Sequence, residues 1–273
     1  MDDYVLLDVG DGSRLERFGD HIVDRPHPAA TGGRRSPRRW ADADLRFDRD
    51  SGWSGPGLER ARNGWTTRNA DLAFELRPTA SGQVGVFPEH AAMLPWLSER
   101  VDTAPERPSV LNLFAYTGMG TLALARAGAA VTHVDAARPA VAWARRNAAL
   151  NELADRPIRW LVDDAGAFVA REIRRERRYD GVVLDPPTYG HGTSGKAWRL
   201  EDDVEPLLAD VRRLLAPNGW VLLSTHTEGI DAGDLGAWLS TVVDDVEVGE
   251  LGLHAMSGAS LELGSFARGS GAS

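Results

Sequence analysis

The stretch Gly181 to Tyr189, GVVLDPPTY, sets a carboxylate, two proline-fixed carbonyls and an aromatic ring directly behind an apolar run. A proline ring locks φ and carries no N–H, so the chain must leave a sheet there with carbonyls that its own backbone does not pair. Such carbonyls, together with a carboxylate, accept hydrogen bonds from an amine or a ring nitrogen, and a phenol ring stacks on a planar base. Asp185, Pro186 and Tyr189 are therefore the candidate catalytic group, one that positions an acceptor rather than attacking it covalently. The plain alternative is a double proline that only ends a strand. His191 and His226 could serve as bases near the ends of the fourth and fifth strands, and Lys196 could meet a phosphate or carboxylate, although lone histidines are usually structural and such a lysine usually solvated. The chain contains no cysteine, which excludes disulfides, iron–sulfur clusters, zinc-thiolate sites and a cysteine nucleophile. Its seven histidines show no metal-ligand spacing, and no metal is expected.

The elements that must carry this group begin near residue 89. EHAAMLPWLSERV predicts a helix, followed by SVLNLF as strand, GTLALARAG as helix, AVTHVD as strand and RPAVAWARRNAALN as helix. IRWLVDD, AGAFVAREIRRERR, GVVLD, EDDVEPLLADVRRLL and WVLLSTH continue the alternation, which is the pattern of βαβ units and a doubly wound α/β sheet. After a helix near DLGAWLSTVV, the segments VEVGELGL and SLELGSFA predict a terminal strand pair. Ligands of such sheets bind at the carboxyl ends of the strands. Gly118, Gly120 and Ala123 fit a G-x-G-x-x-A dinucleotide fingerprint with Asp135 at the next strand's end, so a nicotinamide-dependent dehydrogenase is one alternative. Phe114 to Thr117, however, separate the strand from the first glycine, and this wider loop suits a ligand without phosphates. Asp135 serves either ligand, because a carboxylate there accepts both ribose hydroxyls of an adenosine.

Four features fall in order at four successive strand ends: the Gly118 loop, Asp135, Asp163-Asp164-Ala165 and Asp185-Pro186-Pro187. Here the chain resembles the class I S-adenosylmethionine-dependent methyltransferases. More narrowly, VLNLFAYTGMGTLALARAGAAVTHVDAARPAVAWARRNAALN and YDGVVLDPPTYG are similar to the bacterial ribosomal RNA large-subunit methyltransferase family. The resemblance implies a Rossmann-like doubly wound methyltransferase sheet with a terminal antiparallel strand, and S-adenosyl-L-methionine as cofactor. It implies a cofactor site of Phe114, Ala115, Tyr116, Thr117 and Gly118 beneath the methionine part, Asp135 with Ala136 at the ribose, and Asp163, Asp164 and Ala165 at the adenine, with Asp185 shared between cofactor and acceptor. Asn112 stands where many such enzymes carry an acid. GVFPEH, residues 85–90, resembles the segment that closes over the cofactor; a turn joining two domains is its alternative. Thr188 separates the proline pair from Tyr189, where amino-group methyltransferases place the aromatic directly, which weighs against amino-nitrogen transfer and leaves ring-nitrogen, oxygen or carbon acceptors open. Carbon-5 methylation of a pyrimidine by the usual covalent route needs a cysteine, which is absent.

Residues 1–80 are expected to form a small accessory strand-and-loop region and 81–273 the catalytic domain, with long loops over 25–66. Arg34, Arg35, Arg38 and Arg39, interleaved with Trp40, Trp53 and Trp65, offer phosphate contacts and stacking surfaces for ribosomal RNA. The formal net charge of −9 weighs against broad nucleic-acid binding and keeps a small-molecule acceptor as the second expectation. The acidic amino terminus lacks a secretory pattern and no apolar run is long enough to span a bilayer, so the expected location is cytoplasmic with no membrane partner.

Overall fold

The computed structural model describes residues 3–191 and 197–271. The chain divides into two compact units, the first running to Ala92 and taking in Gly252–Leu263, the second comprising Met93–Leu251 and the residues from Gly264 onward. The division falls later than the expected 80/81, and a segment near the carboxyl end returns to the first unit.

The first unit is built on β1 (Tyr4–Gly10), β2 (Ser13–Phe18), β3 (His21–Pro26), β4 (Leu45–Asp48) and β5 (Gly52–Ser54). These form one sheet in that order, antiparallel except where β4 runs parallel to β3. A short helix α1 (Leu58–Ala61) leads to the hairpin of β6 (Trp65–Asn69) and β7 (Leu72–Leu76). The expected long loops over 25–66 therefore contain β4, β5, α1 and a 3-10 turn at Pro37–Asp42. Pieces this short carry no sustained period; pairing across the sheet defines them. Inside, Glu16 is fully buried and accepts from Arg25 Nη2 at 2.6 Å, Arg25 Nε at 2.8 Å and Tyr4 Oη at 3.1 Å. Arg14 Nε stands 3.3 Å from the same carboxylate. Burial alone would raise the Glu16 pKa, but the two guanidinium groups hold it below the ordinary glutamate value.

The second unit opens with α2 (Leu94–Asp102) and then alternates β8 (Ser109–Leu113), α3 (Met119–Ala127), β9 (Ala130–Asp135), α4 (Arg138–Leu150), β10 (Ile158–Val162), α5 (Ala165–Arg174) and β11 (Tyr179–Leu184). A small hairpin of β12 (Tyr189–His191) and β13 (Ala197–Arg199) precedes α6 (Leu200–Leu214), β14 (Leu215–Thr225), α7 (Ala232–Leu239), β15 (Asp245–His254) and β16 (Ser260–Ser270). The main sheet has the order β10-β9-β8-β11-β14-β16-β15, with β8 to β11 and β14 parallel and β16 antiparallel to β14. The expected doubly wound sheet and terminal strand pair are both present. Val110, Leu111, Leu113, Val182 and Leu184 are buried, the near-continuous apolar reading of parallel strands covered by helices on both faces. Val204, Leu207, Leu208, Val211 and Leu214 recur at helical spacing and bury one face of α6 in the same core as Phe168 and Val169.

Strand order reverses between β8 and β11, which are neighbours although β9 and β10 intervene in sequence. Helices leaving β8 and β11 take opposite directions along the sheet, so the carboxyl ends of these two strands frame a crevice. That topology brings the Phe114 loop and the Asp185 segment to the same place.

Candidate functional site

The loop after β8 holds two non-glycine residues in the left-handed region, Phe114 (φ 54°) and Tyr116 (φ 47°), before Gly118 (φ 97°) opens α3. Such conformations cost on the order of 1–3 kcal/mol each and persist where surroundings over-determine them. Four hydrogen bonds do so: Ala115 N to Val134 O at 3.1 Å, Tyr116 N to Asp135 Oδ2 at 2.8 Å, Gly118 N to Ala115 O at 3.0 Å, and Asn147 Nδ2 to Thr117 O at 3.0 Å. Gly118 also sits against α4, where an added Cβ would stand 3.1 Å from the Ala144 methyl. The loop is therefore fixed by its own backbone and by β9 and α4.

Asp135 ends β9 with one backbone amide on each oxygen, Tyr116 N on Oδ2 and Ala137 N on Oδ1, both at 2.8 Å. Each carboxylate oxygen keeps a second lone pair, so the group can still accept two hydroxyls. Burial pushes its carboxyl up from the ordinary range and the two amides pull it partly back. Ala136 follows it, half-buried.

At the end of β10 the three expected residues separate in role. Asp163 accepts from Asp164 N at 3.0 Å and is ion-paired with Arg171, so its oxygens are engaged within the fold. Asp164 caps α5 through Oδ1 to Ala167 N at 2.8 Å, leaving its other oxygen available, and lines a cavity of about 150 Å³ with Trp198 and Leu207. The Ala165 methyl lies in the core.

After β11, Asp185 Oδ1 accepts from Ser224 Oγ at 2.8 Å, and His226 Nε2 stands 3.9 Å away. Pro186 is buried and its carbonyl faces Thr225 Oγ1 at 3.5 Å, a distance too long for a good bond. Thr188, the residue that separates Pro187 from the aromatic, bonds through Oγ1 to Thr227 Oγ1 at 2.8 Å and starts the turn into α6 through its carbonyl. The intervening residue is thus tied to the end of β14, and Tyr189 is left 71% exposed. Lys196 and the side chain of His191 lie outside the described residues.

Sequence reasoning did not single out Trp198. Its indole N–H donates to Pro187 O at 2.8 Å while its ring packs on Phe114 with centroids 4.9 Å apart, so it clamps the Asp185 segment to the β8 loop. Beside His226, the neighbouring Ser224, Thr225 and Thr227 at the end of β14 were not singled out; a polar run after an apolar strand was the available signal.

Asn112 is buried, and its Nδ2 donates to Thr121 Oγ1, which also meets His133 Nδ1, both at 2.9 Å. It braces β8 against α3 and β9 from inside the sheet. Burial, reinforced by Arg145, pushes the His133 pKa down to about 3. Between about 3 and 6.5 the unfolded chain binds a proton here that the native chain does not, so stability falls as pH drops through 6.5. At pH 5 this group alone is expected to remove about 2 kcal/mol. Urea melts of wild type and His133→Gln at pH 7.5 and pH 5.0 test it: the variant should lose less stability between the two, and equal losses would place the titration elsewhere.

The interleaved aromatics of the first unit are not open stacking surfaces. Trp40 is buried with its N–H on Asp8 Oδ2 at 2.8 Å, Trp53 donates to Thr79 O at 2.7 Å, and Trp65 donates to Phe18 O at 3.1 Å and packs on the His21 ring. An indole is large and apolar with one donor, which suits it to anchoring irregular chain. Residues 85–90 fall in this unit; Phe87 and His90 stack at 5.5 Å and Glu89 is buried.

The family model described as S-adenosylmethionine-dependent methyltransferase matches residues 15–235. A crystal structure of the SAM-dependent methyltransferase from Agrobacterium tumefaciens superposes with a TM-score of 0.93 and 35% identity, covering 99% of this chain and 91% of that one. The ribosomal RNA large subunit methyltransferase K/L of Methylococcus capsulatus is 38% identical over 118 residues, and that of Magnetococcus marinus 32% identical over 158 residues. These alignments take in 42% and 57% of this chain but span only 16% and 21% of those relatives.

Proposed function

Because the chain belongs to the S-adenosylmethionine-dependent methyltransferase family, we propose that its second unit transfers a methyl group to a ring or amino nitrogen of ribosomal RNA, with the first unit as an accessory region. The observation that carries this reading is the segment after β11, where Tyr189 stands exposed behind an Asp185 carboxylate fixed by Ser224. A planar base can stack on the phenol while Asp185 or the Pro186 carbonyl accepts an N–H from its edge. The names of the K/L relatives support ribosomal RNA as the source of that base.

The residues present fit the cofactor: a rigid loop at 114–118, a two-hydroxyl acceptor at Asp135 and a half-free carboxylate at Asp164. S-adenosylmethionine supplies an electrophilic methyl on a sulfonium. The chain's own contribution is alignment of the acceptor lone pair, because an in-line displacement gains most from fixed geometry. A guanine N7 carries no proton and needs nothing more. An amino nitrogen must lose one, and His226 beside Asp185 is placed to receive it. No cysteine is available to add to a pyrimidine ring, which favours nitrogen over carbon. On this reading the protein works in the cytoplasm. No helix among the described residues is long and apolar enough to cross a membrane.

The test is mass spectrometry of nucleosides from ribosomal RNA of a deletion strain and its parent. One missing methylated nucleoside, restored by the wild-type gene, is the expected result. An unchanged set of marks would redirect the acceptor to a small molecule.

A further inference from the structure

The first unit contains a cleft of about 340 Å³ lined by Leu7, Arg17, Ile22, Arg39, Asp42 and Met256. Its floor is aliphatic. Leu7 and Ile22 come from β1 and β3, and Met256, 62% exposed, comes from the β15–β16 tip, whose Met256 N and Ser257 N donate to Leu6 O and Leu7 O. Arg17 stands between Val5 and Ile22 in the sheet register, while Arg39 arrives from the 3-10 turn with Nη1 3.8 Å from the Met256 sulfur.

The arginines of this region divide by what they already hold. Arg34 lies over the Trp40 ring at 3.9 Å and within 3.4 Å of Asp11, and Arg35 donates to Gly258 O at 2.7 Å. Among the described residues the Arg17 side chain makes no ion pair or hydrogen bond, and the Arg39 guanidinium meets only the weak sulfur acceptor. Asp42, the one carboxylate on the rim, is likewise unpaired among them. Two guanidinium groups facing open space above an apolar floor complement a ligand that is anionic at one end and apolar over its body. A cleft of this volume is at the small end of the range for ligand sites, about 300–1,000 Å³.

We propose that this cleft holds one nucleotide of an RNA strand, its phosphate against Arg17 and Arg39, its sugar and base over Leu7, Ile22 and Met256, and its 2′-hydroxyl donating to Asp42. The 2′-hydroxyl is the group by which a protein distinguishes RNA from DNA at one site, and a rim carboxylate is its acceptor. The assignment rests on ribosomal RNA as the substrate and names a place where the strand is gripped apart from the transfer chemistry.

The probe is a mixed-sequence, 5′-labelled 20-nucleotide single-stranded RNA, with its DNA counterpart, followed by anisotropy between 50 and 200 mM salt. Arg17→Ala with Arg39→Ala should weaken RNA binding about tenfold and flatten the log–log salt slope by about 0.7, the value for one phosphate contact on a single strand. Arg60→Ala with Arg62→Ala, which removes two arginines already paired with Asp44 and Glu59, should change neither. Asp42→Ala should narrow the preference for RNA over DNA. Near-ultraviolet circular dichroism, which reads the buried Trp40 of the first unit, should match the wild type in every variant and shows that each is folded, and S-adenosylhomocysteine affinity by calorimetry should stay at the wild-type value. Wild-type RNA binding that survives in the Arg17/Arg39 variant would overturn the cleft and leave the RNA substrate standing. No RNA binding by the wild type would overturn both.

Discussion

Asp185→Asn and Tyr189→Ala are each expected to lower single-turnover methyl transfer about a hundredfold while leaving S-adenosylmethionine affinity nearly unchanged. The amide introduced by Asp185→Asn would keep an oxygen for the Ser224 hydroxyl, which now bonds Oδ1 at 2.8 Å, so the β11–β14 junction is preserved and only the charge is lost. Tyr189 is 71% exposed and contributes little to the core, so its truncation removes a stacking surface rather than a packing contact. Both losses therefore fall on the acceptor. Rapid-quench transfer with saturating cofactor, paired with calorimetry, separates the two effects. Wild-type rates in both variants would reduce the proline pair to a strand terminator, and a matching loss of cofactor affinity would move Asp185 to the cofactor side of the site.

The opposite division is expected at Asp135. Asp135→Ala should weaken S-adenosylmethionine binding by about 1.5–3 kcal/mol, the scale for losing charge-assisted hydrogen bonds. Two effects combine. The ribose hydroxyls lose their acceptor, and the amides of Tyr116 and Ala137 lose the carboxylate that now satisfies them. The second effect loosens the 114–118 loop, so the methionyl end suffers with the adenosine end. Asp135→Asn, which retains one acceptor oxygen, should recover part of the loss in calorimetry. Unchanged affinity in Asp135→Ala would remove this residue from the cofactor site.

These two expectations draw on different depths of information. The four strand-end signals were legible along the chain because a parallel sheet with short βα loops places its loop residues directly after an apolar run, and each run is long enough to carry a period. That pattern alone singles out Asp135 and Asp185 as candidates. The role of Asp163 was not legible, since its neighbour Asp164 has the same chemistry and only the helix geometry decides that one pairs with Arg171 while the other caps α5. The same holds for Thr188: its spacing weighed against an amino-nitrogen acceptor, yet the bond to Thr227 shows the residue tied to the neighbouring strand, with Tyr189 directed outward.

The sequence by itself determined the doubly wound sheet, its terminal strand pair and the absence of a thiol nucleophile, because hydrophobic period and composition are local properties; the cofactor class followed from the resemblance of its strand-end motifs to a known family. Tertiary structure alone decided what depends on segments distant in sequence. It placed residues 252–263 with the first unit, brought Trp198 onto Phe114 and Pro187, and divided the arginines into those spent on Trp40 and Gly258 and those left open beside Met256. A side chain's availability is set by which partners the folded chain brings within hydrogen-bonding reach, and those partners lie up to 223 positions away along the chain, as Arg35 and Gly258 do.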